Sequence, residues 1–211
     1  MQLNKRRCIL VVMCAGWVLM IGTGLGLLWD YENSPGTAAK PPTEWPGDSR
    51  IPLATDRATL VMLVHPQCPC SRASVGELDR LMAQAQGRVT AYALFLKPPE
   101  FPDDWEKSAL WQRAASIPGV NVVVDEDGVE AQRFCARTSG QTILYNPEGR
   151  LLFSGGITGS RGHSGDNAGR SAIVSLLQSG EAEAAQTFVY GCPLFATDSQ
   201  CRGSSDEQPR Q

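Results

Sequence analysis

Two cysteines separated by a single proline, Cys68 and Cys70, carry the clearest chemical signal in this chain of 211 residues. An apolar run over 60–64 precedes them, and apolar residues recur at three- and four-residue steps over 75–85. This pattern predicts a buried strand followed by an amphipathic helix that begins at the cysteines. The first N–H groups of a helix lack intrahelical partners and carry partial positive charge, so they stabilise a nearby thiolate. Because the thiolate is the nucleophilic form of cysteine, we predict that Cys68 is a reactive thiol.

Two neighbours of Cys68 extend this prediction. Cys70 is close enough in sequence to form a disulfide with Cys68. That disulfide would close a small, strained ring, and it would therefore be readily reduced. His65 could hydrogen-bond or protonate a sulfur, or could simply end the strand. His65, Cys68 and Cys70 are also a compact set of soft ligands suited to Cu(I). The residues therefore predict thiol:disulfide exchange without a cofactor, and Cu(I) binding is the alternative.

Three more cysteines follow the motif. Cys135 comes directly after Phe134 on a predicted helix, where a buried and inert thiol is the common outcome and resolution of a Cys68 disulfide is the alternative. Cys192 and Cys201 bracket a short loop. In an oxidising compartment, we predict that these two form a structural disulfide. A redox relay, in which a tail cysteine resolves a Cys68 disulfide, is the alternative.

The N-terminal segment 8–29 contains no charged residue and is long enough to cross a bilayer as a helix. Basic residues occupy 5–7, whereas Asp30 and Glu32 follow the segment. The positive-inside rule then places residues 1–7 in the cytoplasm and the rest of the chain outside it, which is the periplasm in a Gram-negative bacterium. A cleaved signal peptide is the alternative, but the apolar stretch is long and no typical cleavage site follows. We predict a single-pass anchor in the inner membrane.

The remaining chain divides by composition. Residues 30–55 are rich in proline and glycine and predict a linker, 56–190 predict a folded domain, and 191–211 form a tail that contains cysteines. The net charge of −3 argues against a nucleic-acid partner.

Apolar runs and helical periodicity alternate within 56–190. The predicted strands cover 59–65, 89–96, 120–124, 141–146 and 150–156, and the predicted helices cover 71–86, 104–117, 127–136 and 167–178. Such alternation predicts an α/β domain with a central sheet flanked by helices. A four-residue turn at 146–149 adds an antiparallel hairpin to the sheet.

The order of these elements resembles the thioredoxin-like superfamily, and particularly its TlpA-type membrane-anchored thiol:disulfide proteins. The segments VVDEDG at 123–128 and QTILYNPEGRL at 141–151 carry this resemblance, which extends over 56–178. The segments FSGGIT at 153–158 and RGHSGDN at 161–167 are similar to a narrower group, the RedB-like predicted membrane proteins. The resemblance implies a thioredoxin-like fold and an oxidoreductase acting on protein or small-molecule thiols and disulfides.

In the thioredoxin-like fold, the loop between the last strand and the last helix lies beside the reactive cysteine. The resemblance therefore also assigns roles to residues of this loop. It implies that Arg161 stabilises the Cys68 thiolate or an anionic ligand and that His163 moves a proton. Asp166 or Asn167 is predicted to cap the last helix, because either side chain can accept hydrogen bonds from backbone N–H groups, and a role beside Cys68 is the alternative.

The chain departs from the family at three places. Ser71 stands where the second cysteine of the family occurs, so that Cys70 falls one residue early. Gly140 or Gln141 stands where the family has a cis-proline, which weakens the case for polypeptide substrates. His65 replaces the threonine of peroxiredoxins, which argues against a peroxidase. The prediction is a membrane-anchored, periplasm-facing thiol:disulfide oxidoreductase; a Cu(I) metallochaperone or an assembly factor is the alternative.

Overall fold

The computed structural model describes residues 2–37 and 40–195. The chain divides into two compact units, Met1–Ser34 and Pro35–Gln211. The first unit contains one helix, α1 (Gln2–Asn33). Its stretch Asn4–Asn33 is long and apolar enough to cross a membrane, and a signal sequence near an N-terminus has the same properties. The predicted apolar helix is therefore present.

The second unit contains five strands and four helices in the described residues. The strands are β1 (Ala58–Val64), β2 (Val89–Lys97), β3 (Val120–Glu126), β4 (Gln141–Tyr145) and β5 (Leu151–Gly156). The helices are α2 (Ser71–Ala85), α3 (Ala109–Ala115), α4 (Val129–Arg133) and α5 (Ala168–Ser179). Every predicted strand and helix is present, and most ends agree within two residues.

The strands form one mixed sheet in the order β3-β2-β1-β4-β5. β1, β2 and β3 run parallel, whereas β4 pairs antiparallel with both β1 and β5. This topology confirms the predicted thioredoxin-like fold. Because successive side chains of a strand point to opposite faces, β1 contributes to two cores, Leu60 and Met62 to one and Val61 and Leu63 to the other.

The first core joins the sheet to α2, α3 and α5, and the second joins it to α4. Two of these helices are shorter than predicted. Helix α3 begins only after Ser108, whose hydroxyl accepts a hydrogen bond from the Trp111 N–H at 3.4 Å. Helix α4 follows Gly128 and ends before Cys135, and both residues have the positive φ that interrupts a helix.

Much of the segment that was predicted as a linker is packed on the domain. The Tyr145 hydroxyl donates to the Pro42 carbonyl at 2.9 Å, and the Trp45 ring packs edge-on against Phe134 and Tyr145. The Ser49 hydroxyl donates to Glu130 at 2.6 Å. This part of 30–55 belongs to the folded unit, because its few apolar residues cover the second core.

Candidate functional site

The Cys-Pro-Cys motif lies in the turn between β1 and α2. The Cys68 N–H donates to the His65 carbonyl at 3.0 Å, and the Ser71 N–H donates to the Cys68 carbonyl at 3.2 Å. Helix α2 begins at Ser71, so Cys68 lies immediately before its first turn. This is the position that the sequence predicts for a stabilised thiolate.

Three sulfurs meet at this point. The Sγ atoms of Cys68, Cys70 and Cys192 all lie within 4.8 Å of one another. Cys68 and Cys70 are buried, and Cys192 is partly exposed. The sequence did not place Cys192 here, since no local pattern links the tail to the motif.

The segment 191–195, which we call the strap, brings Cys192 to the motif. The strap pairs antiparallel with 137–139: the Ser139 N–H donates to the Cys192 carbonyl and the Leu194 N–H donates to the Arg137 carbonyl, both at 2.8 Å. The Leu194 side chain is buried in the second core. These contacts hold the Cys192 backbone in one position relative to Cys68.

Gly191 is the point of closest approach between the strap and the domain. A Cβ atom there would lie 1.9 Å from the Ser139 carbonyl oxygen, so a larger residue would force the strap away. The Arg161 guanidinium donates to the Gly191 carbonyl at 2.6 Å. The glycine-rich loop around 161 therefore supports the strap from the other side.

The surroundings of Cys68 favour its ionised form. Burial by itself would raise the pKa of Cys68, but hydrogen bonds from the Ser71 hydroxyl, the Cys192 thiol and the backbone at Cys192 and Ser71 outweigh it and lower the pKa. Burial and the nearby Cys68 charge raise the pKa of Cys70. Burial and the hydrogen bond to Cys68 raise the pKa of Cys192 to about 12. Of these three thiols, Cys68 is therefore the one whose ionised form the surroundings favour.

Ser71, the residue in place of a second family cysteine, has a defined role here. Its hydroxyl bonds to Cys68 and lies 2.6 Å from the Ser139 hydroxyl. The Ser139 oxygen also accepts the His65 N–H at 2.7 Å. The two serines connect the reactive turn to the segment before β4, where Gly140 adopts a φ of +88° close to Ser74.

His65 is not part of the group of three sulfurs. Its Nδ1 accepts the Gln67 N–H at 3.2 Å, and its ring packs edge-on against Trp105 with centroids 5.6 Å apart. Burial lowers the pKa of His65. In the described part of the chain, Cys192 rather than His65 completes the group of soft ligands with Cys68 and Cys70.

The loop before α5 contributes one residue to the site. The positive charge of Arg161 lowers the pKa values of Cys70 and Cys192. Burial and the interactions with Cys68 raise both values by more, so the net shift is upward. His163 is exposed and its Nδ1 lies 3.0 Å from the Arg161 carbonyl. Asn167 caps α5 by accepting the Arg170 N–H at 2.8 Å, and Asp166 pairs with the Arg170 guanidinium at 3.1 Å. The predicted cap at Asn167 is confirmed.

The buried carboxylate of Glu77 positions this loop. The sequence pattern did not predict a role for this residue. Glu77 on α2 is fully buried and pairs with Arg170 and Arg80. It also accepts the Gly165 N–H at 2.9 Å and the Asn167 side-chain amide at 3.3 Å. The only sequence signal was a glutamate at an apolar-face position between Val75 and Leu78.

Of the other two predicted cysteines, Cys135 lies in the described part of the chain and Cys201 does not. Cys135 is buried, adopts a φ of +49° and interacts electrostatically with Tyr145, outside the group of three sulfurs. Cys201 lies outside the described residues, so its disulfide with Cys192 stays a prediction. The structure gives Cys192 other neighbours, namely Cys68 and Cys70.

A cavity of about 470 Å³ opens beside Cys68. Its wall includes Pro66, Pro69 and Leu110 together with two cationic residues, Arg72 and Arg113. Both arginines are exposed. The cavity offers a route by which a small or extended substrate could reach a sulfur that is otherwise covered.

No family model matches the chain, and no curated protein matches it by sequence. An uncharacterized conserved protein from Geobacillus kaustophilus is similar in structure, with 19% identity, a TM-score of 0.57 and coverage of 80% of this chain and 95% of that one. A hypothetical protein from Sinorhizobium meliloti 1021 has 18% identity, a TM-score of 0.57 and coverage of 79% and 96%. These likenesses show the shared fold alone.

Proposed function

We propose that this protein is a thiol:disulfide oxidoreductase in which Cys68 is the attacking thiolate. The lowered pKa of Cys68, a buried thiol just before the N-terminus of α2, carries the proposal. Cys68 is only 4% exposed, yet hydrogen bonds from Ser71 and Cys192 lower its pKa against the effect of burial. A buried structural cysteine would have a raised pKa and would be inert.

The reaction is exchange between a substrate disulfide and the cysteines of the site. The Cys68 thiolate attacks one sulfur of the substrate disulfide, forms a mixed disulfide and releases the other substrate sulfur as a thiolate. A second thiol of the site, Cys70 in the simplest version, then attacks Cys68 and releases the rest of the substrate. The substrate gains two electrons, and the reverse sequence oxidises a dithiol substrate.

We further propose that α1 anchors the domain in the inner membrane with residues 1–7 in the cytoplasm. The length and apolar character of α1 support the anchor, and the basic residues at 5–7 support the orientation. The domain would then face the periplasm, where disulfides persist. The resemblance to TlpA-type and RedB-like membrane proteins is consistent with this arrangement.

Glutathione disulfide offers a direct test on the full-length chain in detergent micelles. We expect each reduced protein molecule to release two equivalents of glutathione, one when Cys68 attacks and one when the mixed disulfide is resolved, and to regain activity with dithiothreitol. Cys68→Ser should abolish this release, whereas the matched variant Cys135→Ser, at a buried cysteine outside the group, should retain it. Equal activity in Cys68→Ser would reject the proposal.

The group of three sulfurs supports a second candidate, a Cu(I) metallochaperone. Thiolates are soft ligands that select Cu(I), and Cys68, Cys70 and Cys192 can reach one ion with only small movements. This set differs from the predicted one, because Cys192 takes the place of His65.

Competition with a chromogenic Cu(I) chelator separates the two candidates. A copper carrier would bind one Cu(I) tightly and would lose most of its affinity in Cys192→Ser, while His65→Ala would bind normally. An oxidoreductase would exchange disulfides at the same rate whether or not copper had been removed. Weak or unspecific Cu(I) binding would eliminate the carrier.

A further inference from the structure

We propose that Cys192 on the strap is the resolving cysteine of Cys68, so that turnover passes through a Cys68–Cys192 disulfide. This inference rests on the proposed function and deepens it by naming the second catalytic thiol. It assigns the strap a redox role in place of a structural disulfide with Cys201.

The first support is the direct contact between the two residues. The Sγ atoms of Cys192 and Cys68 lie within 4.8 Å of each other, and hydrogen bonding from the Cys192 thiol and backbone lowers the pKa of Cys68. The Cys192 sulfur therefore already lies beside the atom that it would attack. The same contact that stabilises the Cys68 thiolate keeps the second thiol protonated until Cys68 has reacted.

The second support is that the strap is built to hold this position. Antiparallel hydrogen bonds join Cys192 to Ser139 and Leu194 to Arg137, and Arg161 binds the carbonyl of Gly191. The absence of a side chain at Gly191 permits the close approach to Ser139. A segment that only connected a tail to the domain would not need contacts on both sides of its cysteine.

The third support concerns the competing thiol. Cys70 has helical backbone angles, with φ −66° and ψ −32°, directly before the first residue of α2. The Sγ atoms of Cys68 and Cys70 lie within 4.8 Å of each other, but a disulfide between residues two apart in the sequence closes a small and strained ring. Cys192 approaches from a separate segment, so its disulfide with Cys68 avoids the small ring.

Reduction of a substrate disulfide proceeds in two exchange steps, first at Cys68 and then at Cys192. The Cys68 thiolate forms a bond to one sulfur of the substrate disulfide, and the other substrate sulfur leaves as a thiolate. The Cys192 sulfur then bonds to Cys68, the bond between Cys68 and the substrate breaks, and the Cys192 proton passes to the departing thiolate. The substrate disulfide is reduced by two electrons, and the two cysteines are oxidised to one disulfide.

The test follows the mixed disulfide in the full-length chain, using glutathione disulfide as the probe, acid quenching, alkylation and mass mapping. We expect the parent protein and Cys70→Ser to yield a Cys68–Cys192 disulfide. Cys192→Ser should accumulate glutathione on Cys68 at least tenfold above the parent level, while Cys135→Ser should behave as the parent does.

A variant with all cysteines intact tests the strap itself. Gly191→Ala should displace the strap from Ser139 and reduce the yield of the Cys68–Cys192 disulfide severalfold. Gly159→Ala is the matched control, because a Cβ atom at Gly159 meets nothing within 4 Å. An unchanged yield in Gly191→Ala would overturn the role given to the strap.

Failure of this inference is distinguishable from failure of the proposed function. If Cys68 takes up glutathione and Cys192→Ser resolves it at the parent rate through Cys70, Cys192 is not the resolving thiol and the exchange activity stands. A Cys192–Cys201 disulfide in the functional protein would also overturn the inference. If Cys68 takes up no glutathione in any variant, the exchange function fails, and the inference fails with it.

Discussion

The hydroxyl groups of Ser71 and Ser139 lie 2.6 Å apart in the interior of the domain. Ser71 begins α2 and bonds to the Cys68 sulfur, whereas Ser139 precedes β4 and pairs through its backbone with Cys192. One pair of hydroxyls thus links the reactive thiolate, the start of its helix and the strap. The residue that breaks the usual cysteine spacing is therefore part of the site.

Replacing Ser71 by alanine should raise the pKa of Cys68. The variant removes the side-chain donor that contributes most to lowering this pKa. Because a hydrogen bond to a charged group contributes at least about 1.5 kcal/mol, alkylation of Cys68 at pH 7 should slow roughly tenfold. The measurement is the iodoacetamide rate against pH, followed by mass mapping of Cys68.

Ser74→Ala is the control for that experiment, since Ser74 is buried on the same helix and contacts Gly140. It should leave the pH profile of Cys68 unchanged. A profile for Ser71→Ala that coincides with the parent profile would show that Ser71 does not stabilise the thiolate.

The substitution Glu77→Gln should destabilise the domain and loosen the loop that carries Arg161. Glu77 is fully buried, and its removal would leave the Arg170 guanidinium without its buried partner. Loss of one partner of a buried pair costs about 3–5 kcal/mol. Urea unfolding measures this loss, and Asp79→Asn on the exposed face of α2 should change the free energy of unfolding little. A similar small change for Glu77→Gln would contradict its positioning role.

Asp125 should make the stability of the domain depend on pH. Burial raises the pKa of its carboxyl from its ordinary value near 4 to about 6, despite hydrogen bonds from the N–H groups of Glu130 and Ala131. A raised pKa in the folded state favours the protonated form, so this contribution is complete below pH 4 and is lost as the pH rises through 6. The loss amounts to about 3 kcal/mol.

Urea unfolding of the parent and of Asp125→Asn between pH 4 and pH 7 measures this contribution. The stability of the parent relative to Asp125→Asn should fall as the pH rises. Glu126→Gln, at the exposed neighbouring residue, should follow the parent curve. A constant difference between the parent and Asp125→Asn would show that this carboxyl does not titrate in the range.

The packing of Trp45 predicts that the segment before β1 stabilises the domain. Its ring contacts Phe134 and Tyr145 with centroids 5.1 and 5.2 Å away. Trp45→Ala should lower the free energy of unfolding by about 2 kcal/mol, less than for a fully buried aromatic residue. Phe188→Ala, at an aromatic side chain that is 70% exposed, should have little effect. Equal stability of Trp45→Ala and the parent would restore the linker interpretation.

Local patterns predicted most of the fold, because each strand and the longer helices have their own periodicity. They also placed Cys68 at the start of α2. The position of Cys192 could not be predicted, since it depends on pairing between residues near 138 and 193 that leaves no periodic signal. Glu77 was missed for a related reason: a glutamate is usually exposed, and only its distant partner Arg170 explains its burial.

The redox role of Cys68 can be measured by equilibrating the full-length protein in buffers with defined ratios of reduced glutathione to glutathione disulfide, followed by acid trapping and mass mapping. We predict a reversible two-electron couple, in which a disulfide that includes Cys68 forms and is reduced again as the ratio of glutathione to glutathione disulfide changes. A protein whose Cys68 remains a thiol across all ratios, or whose only reversible disulfide excludes Cys68, would contradict this prediction.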